Sequence, residues 1–170
     1  MPNIGFNIEV KYPMVDEAEA LPFRVELDLN LFVDKILKCV YDHTQQNRNI
    51  IFSSFHPDIC LMLAYKQPHY PVFFLTDGGV TRMADARSNS LREAIHFAKL
   101  ANLLPGIVTN SEPIIKAPKL VKAVKEAGLL LFTYGKMNNT LINARAQRTA
   151  GIDAIIVVCI IIFTIIYIII

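Results

Sequence analysis

The sequence contains no tryptophan and only three cysteines in 170 residues. Cys39, Cys60 and Cys159 are an odd set without CxxC spacing, which indicates neither a disulfide framework nor a cysteine zinc site. The opening MPNIGFNIEV also lacks the cationic flank and continuous apolar core of a secretory signal. These absences predict a cytoplasmic protein with free, buried thiols.

An excess of charge of either sign is missing as well. The 17 Lys and Arg residues stand against 15 Asp and Glu, which gives a net charge of +2. No basic block or stripe interrupts the chain. No nucleic-acid partner is therefore predicted.

Several motifs of common enzyme classes are absent. No GxGxxG or GxxxxGK[ST] follows an apolar run, which excludes the simplest nucleotide-binding sheets, and no GxSxG supports serine-hydrolase chemistry. His43, His69 and His96 have no metal-ligand spacing and are interpreted as loop or helix-surface residues.

What the sequence does contain is a repeated alternation of short apolar runs and helical patterns, which is typical of parallel β/α units. Six strands are predicted, approximately Ile4–Tyr12, Asn49–Phe55, Tyr70–Thr76, Leu104–Asn110, Leu129–Tyr134 and Ile152–Val158. Six units suit either an open doubly wound sheet or most of an eight-stranded barrel. The missing nucleotide motifs favour the barrel.

Local signals mark the ends of several elements. Ser90 with Glu93 is a capping box that predicts a helix start, and Pro118 with Gly128 brackets another helix. Pro105 is predicted to interrupt the fourth strand, where it would remove a ladder hydrogen bond.

The first strand carries two opposite charges. Alternation in GFNIEVKYP puts Glu9 and Lys11 on one face and apolar residues on the other. In a central parallel strand such charges are costly unless they are paired or used, so Glu9 is a candidate ligand of a hard cation and Lys11 a candidate partner of a phosphate. The alternative is an edge strand whose charged pair is merely solvated.

Polar residues follow the other apolar runs, where a barrel of this type gathers its reactive groups. These polar residues are His56, Asp77, Asn110, Lys136 and Asn138, and the predicted pocket residues are His56, Asp77 and Asn138 together with Phe132. Each also has a structural interpretation: His56 before Pro57 shapes a loop, Asp77 before two glycines forms a turn, and the asparagines cap helices or occupy turns. Phe132 and Tyr134 either line a pocket or pack in the core.

Taken in order, the segments GFNIEVKYP, IIFSSFHPDIC, YPVFFLTDGG, GIVTNSEP, GLLLFTYGKMNN and GIDAIIV resemble the second part of the glycerophosphodiester phosphodiesterase domain. The similarity runs from about Ile4 to Val157 and is closest to the fungal cytosolic type that hydrolyses glycerophosphocholine. It implies an α/β fold, a TIM-type barrel of about six β/α units here. It also implies cleavage of a small-molecule glycerophosphodiester to glycerol 3-phosphate and an alcohol such as choline, with a bound divalent cation, Mg²⁺ or Ca²⁺.

The resemblance also implies roles for three residues. Glu9 matches the family's third metal carboxylate, Lys11 its substrate-phosphate lysine, and Phe132 an aromatic position beside the substrate glycerol. The family's His-Arg, Glu-x-Asp and second catalytic His do not occur in this sequence, whose first strand corresponds to the family's third. Catalytic residues are therefore unassigned, Glu9 alone is not expected to hold the cation, and a non-catalytic fragment or membrane-tethered remnant is the alternative function.

The last stretch, 154–170, is almost wholly apolar and rich in isoleucine. As a helix it would reach about 25 Å, short of a hydrocarbon core of roughly 30 Å. Three interpretations stay open: a frameshift or incomplete gene model, a membrane segment, or an ordinary buried strand. The predicted organisation is a barrel domain over 1–157 and an apolar tail over 158–170.

Overall fold

The computed structural model describes residues 5–20, 22, 28–44, 48–159 and 165–169. Its strands are β1 Phe6–Glu9, β2 Ile50–Ser54, β3 Val72–Thr76, β4 Gly106–Asn110, β5 Leu130–Tyr134, β6 Ala154–Cys159 and β7 Ile165–Ile169. Its helices are α1 Val15–Ala20, α2 Leu29–His43, α3 Pro57–Lys66, α4 Leu91–Ala101, α5 Ser111–Lys116, α6 Leu120–Glu126 and α7 Leu141–Ala150. Short 3-10 turns cover Ala86–Ser88 and Lys136–Asn139.

The strands form one sheet in the order of the sequence, β1 to β7. Neighbours from β1 to β6 are parallel, and each is reached through helical connections, as right-handed β/α units require. The predicted fold class, parallel β/α units of a barrel, is confirmed. The first strand is shorter than predicted, and Ile4 lies outside the described residues.

Strand alternation gives the sheet two different faces. The helix-covered face carries the main core, in which Phe52, Phe74, Ile107 and Leu131 are completely buried or nearly so. Helices supply the facing layer, because their apolar stripes have nowhere else to be buried. The opposite face, which we call the inner face, carries a second cluster formed by Phe73, Leu75, Val108 and Ile156, with Ile51, Phe55, Phe132 and Tyr134 packed against it.

Helix termini follow the sequence signals closely. Ser90 Oγ accepts a hydrogen bond from the Glu93 amide at 3.1 Å, so the predicted cap of α4 is present. Helix α6 begins two residues after Pro118, and beyond its end Gly128 adopts a positive φ of 78°.

The prediction that Pro105 interrupts the fourth strand is wrong. Strand β4 begins one residue later, at Gly106, so no ladder bond is lost. The Pro105 carbonyl accepts from the Leu130 amide at 2.9 Å and leads into the ladder. A Cβ on Gly106 would lie 2.4 Å from the Leu130 carbonyl oxygen and 2.8 Å from Phe73 Cε1. The next residue after Pro105 therefore has to be glycine for β3, β4 and β5 to keep their register.

The cysteines differ from the expectation in one respect. Cys60 is fully buried on α3, and this burial raises the pKa of its thiol, so it is an inert core group. Cys39 is exposed on α2, which corrects the prediction that it is buried. The side chain of Cys159 lies outside the described part of the structure.

The apolar stretch 154–170 contains two strands in its described part. Strand β6 continues through Cys159, and β7 pairs with it antiparallel, with Val157 opposite Tyr167. Within the described residues, none of the helices has the length and apolarity needed to cross a bilayer. The β-branched composition explains the choice of strand, since Ile and Val favour a pleated surface.

Candidate functional site

Glu9 and Lys11 lie at the carboxyl end of β1. Alternation turns Asn7 to the inner face, where it accepts a hydrogen bond from Ser53 Oγ at 2.9 Å, and Glu9 follows on the same side. The Glu9 side chain is 34% exposed and that of Lys11 is 81% exposed, with Nζ and Oε1 3.7 Å apart. In the described sheet β1 is also an end strand. The pair is therefore loose and solvated, and Lys11 is accessible to an anion.

Asp77 is the centre of a hydrogen-bonded group at the ends of three adjacent strands. Its Oδ1 accepts from Asn110 Nδ2 at 2.8 Å and from the Tyr134 hydroxyl at 3.0 Å. The Thr81 hydroxyl donates to Oδ2, and the Thr81 backbone N–H also bonds the carboxylate. Asn110 and Tyr134 stand opposite each other in the β4–β5 register, which explains how both reach the same oxygen.

Asn110 has two functions in this group. Its Oδ1 accepts from the Glu112 amide at 3.0 Å and so caps α5. Its Nδ2 is thereby oriented toward Asp77. The same side chain thus has the predicted capping role and is also bonded to Asp77.

The electrostatics of the cluster fix its protonation. Burial raises the pKa of Asp77, but hydrogen bonds from Thr81, Asn110 and Tyr134 outweigh burial, and the net pKa is lowered. Burial, then the charge and hydrogen bond of Asp77, and finally the charge of Glu9 raise the pKa of Tyr134. At neutral pH Asp77 is an anion and Tyr134 a neutral donor, and Glu9 is near enough to act on Tyr134.

Aromatic rings surround this carboxylate on the inner face. The rings of Phe55 and Tyr134 meet edge-to-face, with centroids 5.8 Å apart. Below them Phe132 stacks on Phe73 at 4.4 Å. Phe55, Phe132 and Tyr134 are all partly exposed, so their rings are not sealed inside a core. Phe132 thus lies on the face that also carries the carboxylates, as an aromatic pocket residue would.

His56 belongs to a neighbouring group rather than to the Asp77 cluster. It occupies the position before α3, and its ring meets Tyr12 edge-on at 5.5 Å. Burial lowers the pKa of His56, opposed by the charge of Asp58. Among the described residues its Nδ1 is buried without a hydrogen-bond partner. The ring is therefore neutral at pH 7.

Asn138 is 2% exposed and fully engaged in the protein interior. Its Nδ2 donates to the carbonyl oxygens of Thr133 and Ile156, and its Oδ1 accepts from Gln147 Nε2 at 2.8 Å. Gln147 Oε1 in turn accepts from Thr133 Oγ1 at 2.6 Å. This closed network fastens β5, β6 and α7 together and engages both polar atoms of the Asn138 side chain.

The residues that the structure describes do not fit a divalent cation by themselves. Such ions take six or more oxygens, several of them from carboxylates. Within the described ranges no group of three or more His, Cys, Asp or Glu side chains is arranged to hold a metal. The Asp77 oxygens already accept from several donors, so of the two described carboxylates on the inner face Glu9 is the better candidate ligand.

Sequence reasoning named Asp77 and Asn110 separately but missed that they form one cluster with Tyr134 and Thr81. The available signal was positional. Asp77, Asn110 and Tyr134 end or directly follow consecutive strands, and adjacent parallel strands bring such residues together. Thr81 carried no such signal, because it lies in the loop after the two glycines.

The model of the glycerophosphoryl diester phosphodiesterase family matches residues 1–157. The chain belongs to this family. A glycerophosphocholine phosphodiesterase of Candida albicans is 53% identical over 156 residues, which cover 91% of this chain and 13% of the relative. Its counterpart from Eremothecium gossypii is 50% identical over 156 residues, covering 91% and 12%. The chain thus spans about an eighth of the length of these relatives.

A solved structure agrees with the family assignment at the level of the fold. The Oleispira antarctica phosphodiesterase, in complex with the product sn-glycerol-3-phosphate, is similar with a TM-score of 0.62 and 16% identity. The similarity covers 89% of this family member and 50% of the solved chain. An identity this low shows the barrel fold alone.

Proposed function

We propose that this chain forms part of the catalytic barrel of an enzyme that hydrolyses glycerophosphodiesters. The proposed substrate is glycerophosphocholine and the products are glycerol 3-phosphate and choline, as the names of the fungal relatives suggest. The observation that carries the proposal is the Glu9–Lys11 pair at the carboxyl edge of the sheet, where the charge of Glu9 also raises the pKa of Tyr134. Active groups of (β/α) barrels gather at this edge.

Lys11 is the proposed phosphate-binding residue. Its ammonium is a point charge on a flexible stem, and it is free to turn because its contact with Glu9 at 3.7 Å is long and solvated. Exposed pairs of this kind contribute only about 0–1 kcal/mol, so exchanging Glu9 for a phosphate oxygen costs little. The ammonium of Lys11 would offset the negative charge that develops on the phosphoryl oxygens during attack at phosphorus.

Glu9 is the proposed ligand of a divalent cation, Mg²⁺ or Ca²⁺. As the described residues do not complete a coordination sphere, no chemical step is assigned to the cation, and the identity of the acid and base stays open. The proposed location is cytoplasmic, and membrane association through 154–170 stays a prediction. His56 and Asn138 stay proposed pocket residues, but only His56 is partly exposed, whereas Asn138 is buried in its hydrogen-bond network.

The second candidate is a non-catalytic role for this chain. It is favoured by one observation, the absence of a metal-binding group of three or more side chains among the described residues. Under this alternative the inner face still binds a small molecule, but no phosphodiester bond is broken.

The two candidates differ in a direct assay. Purified chain is incubated with glycerophosphocholine and Mg²⁺ or Ca²⁺, and released glycerol 3-phosphate is measured. Hydrolysis predicts cation-dependent release that is lost in Glu9→Ala and reduced at least about tenfold in Lys11→Ala. The matched control is Lys38→Ala, which breaks another exposed ion pair, with Asp42 on α2. Release no greater than in Glu9→Ala contradicts catalysis by this chain and supports the non-catalytic role.

A further inference from the structure

The inner face brings an anion and two aromatic rings to one place. The carboxylate of Asp77 accepts the hydroxyl hydrogen of Tyr134, whose ring meets Phe55 edge-to-face at 5.8 Å. All three side chains are partly exposed at the carboxyl edge of the sheet. Phe55 and Tyr134 also pack against the inner-face apolar cluster, but packing does not require the carboxylate of Asp77 beside them.

We propose that Phe55, Tyr134 and Asp77 form a subsite for a quaternary ammonium headgroup of the choline type. This inference rests on the proposed function. It assigns a binding site to the choline group of the proposed substrate, which leaves as the alcohol. Aromatic faces attract cations through the ring quadrupole, and quaternary ammonium groups are commonly bound by rings of this kind. A nearby carboxylate adds direct charge attraction in a partly desolvated setting.

The hydrogen bonds of Asp77 decide which cation fits. A carboxylate offers about four lone-pair sites, and those of Asp77 already receive the Asn110 amide, the Tyr134 hydroxyl and two donors of Thr81. A primary ammonium needs acceptors for its N–H groups and finds few. A quaternary ammonium has no N–H group, so it uses the charge of Asp77 without competing for its lone pairs.

The count of free hydrogen-bond donors and acceptors also argues against a polyol at this position. Glycerol hydroxyls need free donors and acceptors when they are desolvated. Here the Tyr134 hydroxyl hydrogen and one of the two Nδ2 hydrogens of Asn110 are already donated to Asp77, and the Asn110 Oδ1 accepts from the Glu112 amide, so fewer polar groups are left for glycerol hydroxyls. The phenyl ring of Phe55 offers none. The subsite therefore suits a methylated cation better than the glycerol end of the substrate.

The position of Glu9 connects this subsite to the proposed phosphate site. Glu9 pairs with Ser53, which lies on the inner face with Ile51 and Phe55, so strand alternation places Glu9 on the same face as the subsite. In glycerophosphocholine only an ethylene link separates the phosphate from the quaternary nitrogen. The proposal therefore places the phosphate at Lys11 and the headgroup at the subsite, both on the inner face of the sheet.

Binding of free cations to the chain tests the inference without any hydrolysis. Choline and tetramethylammonium chloride are titrated against ethanolamine and methylammonium chloride, with chemical shifts of the Tyr134 and Phe55 ring protons as the readout. We expect the quaternary cations to bind more tightly and to shift these two rings. Asp77→Asn and Phe55→Leu are each expected to weaken choline binding about fivefold to tenfold.

Two further variants sharpen the result. Asp42→Asn removes an equally charged but remote carboxylate on α2 and is expected to leave choline binding unchanged. Tyr134→Phe keeps the ring but frees one lone pair of Asp77, so the preference for choline over ethanolamine is expected to fall. Circular dichroism verifies that each variant is folded. If Asp77→Asn does not fold, Phe55→Leu still tests the subsite.

The inference is overturned if ethanolamine binds as tightly as choline, if Asp77→Asn behaves like Asp42→Asn, or if the shifts map to other residues. Because no phosphodiester and no divalent cation is present, this failure is independent of the hydrolysis assay. Choline binding without glycerol 3-phosphate release would refute the proposed hydrolysis and leave the subsite standing.

Discussion

The two faces of the sheet are built from the same strands but in different ways. On the helix-covered face large apolar side chains such as Phe52 and Phe74 are completely buried. On the inner face the apolar cluster is smaller, and toward the carboxyl edge it gives way to Asp77, Asn110 and Tyr134. The first face has one requirement, burial of apolar surface, whereas the second combines packing with charge. Stability should therefore depend mainly on one face and ligand recognition on the other.

The largest expected effect comes from the helix-covered face. Phe52→Ala removes a completely buried ring and is expected to lower the free energy of unfolding by about 3–5 kcal/mol. Phe55→Ala, three residues later on the inner face, removes a partly exposed ring and is expected to cost about 1–2 kcal/mol. Urea denaturation followed by circular dichroism measures both. Equal losses would mean that the two faces contribute alike to stability.

The helix-covered face is the part of the fold that sequence predicts well. Runs such as NIIFSSF and YPVFFLT are apolar on both sides, and burial on both faces is what a central parallel strand needs. Helix signals such as Ser90 are local, so a helix start can be predicted from them without knowledge of tertiary contacts. β7 was not predicted as a separate strand, because an unbroken apolar run contains no turn signal to divide it.

An intermediate effect is expected at the point where the inner face is most crowded. Gly106→Ala adds a Cβ that would meet the backbone of Leu130 and the ring of Phe73, and we expect a loss of about 1–3 kcal/mol in unfolding free energy. The matched control is Gly5→Ala, whose Cβ would lie 3.3 Å from the nearest atom, the Asn49 carbonyl oxygen. A Gly106→Ala variant as stable as Gly5→Ala would show that β4 and β5 can separate to make room.

The smallest expected effect is the acid dependence of the Asp77 cluster. The pKa of Asp77 lies below its ordinary value of 3.8, so its ionised form stabilises the fold above about pH 4, and this contribution is lost as pH falls through the folded-state pKa. Asp77→Asn is expected to reduce the loss of unfolding free energy between neutral pH and about pH 3. Parallel acid profiles for the two proteins would indicate that the hydrogen bonds of Asp77 do not favour its charged form.

The candidate site was only partly predictable, for a physical reason. Glu9 and Lys11 break the apolar pattern of their own strand, and this local contradiction is visible in one sequence. The link from Asp77 to Tyr134 spans strands far apart in the chain and depends on register, which no local pattern encodes. Asn138 followed a strand as Asp77 did, yet it turned into the interior, because Gln147 on a later helix supplied its partner.

Asn138 also helps to hold two neighbouring strands of the sheet, β5 and β6, together. The register between β5 and β6 ends with Thr133 opposite Ile155, and beyond it the Asn138 amide bridges the carbonyl oxygens of Thr133 and Ile156. The neighbouring β4–β5 register contains five residue pairs, whereas the β5–β6 register contains two, so side-chain bonds matter more at this junction. The attachment of β6 to β5 therefore depends in part on the side chain of Asn138. A substitution of Asn138 is consequently expected to weaken the attachment of the β6–β7 unit to β5, which the main-chain bond from Asp153 to Leu131 and the bonds of the Asp153 side chain still hold.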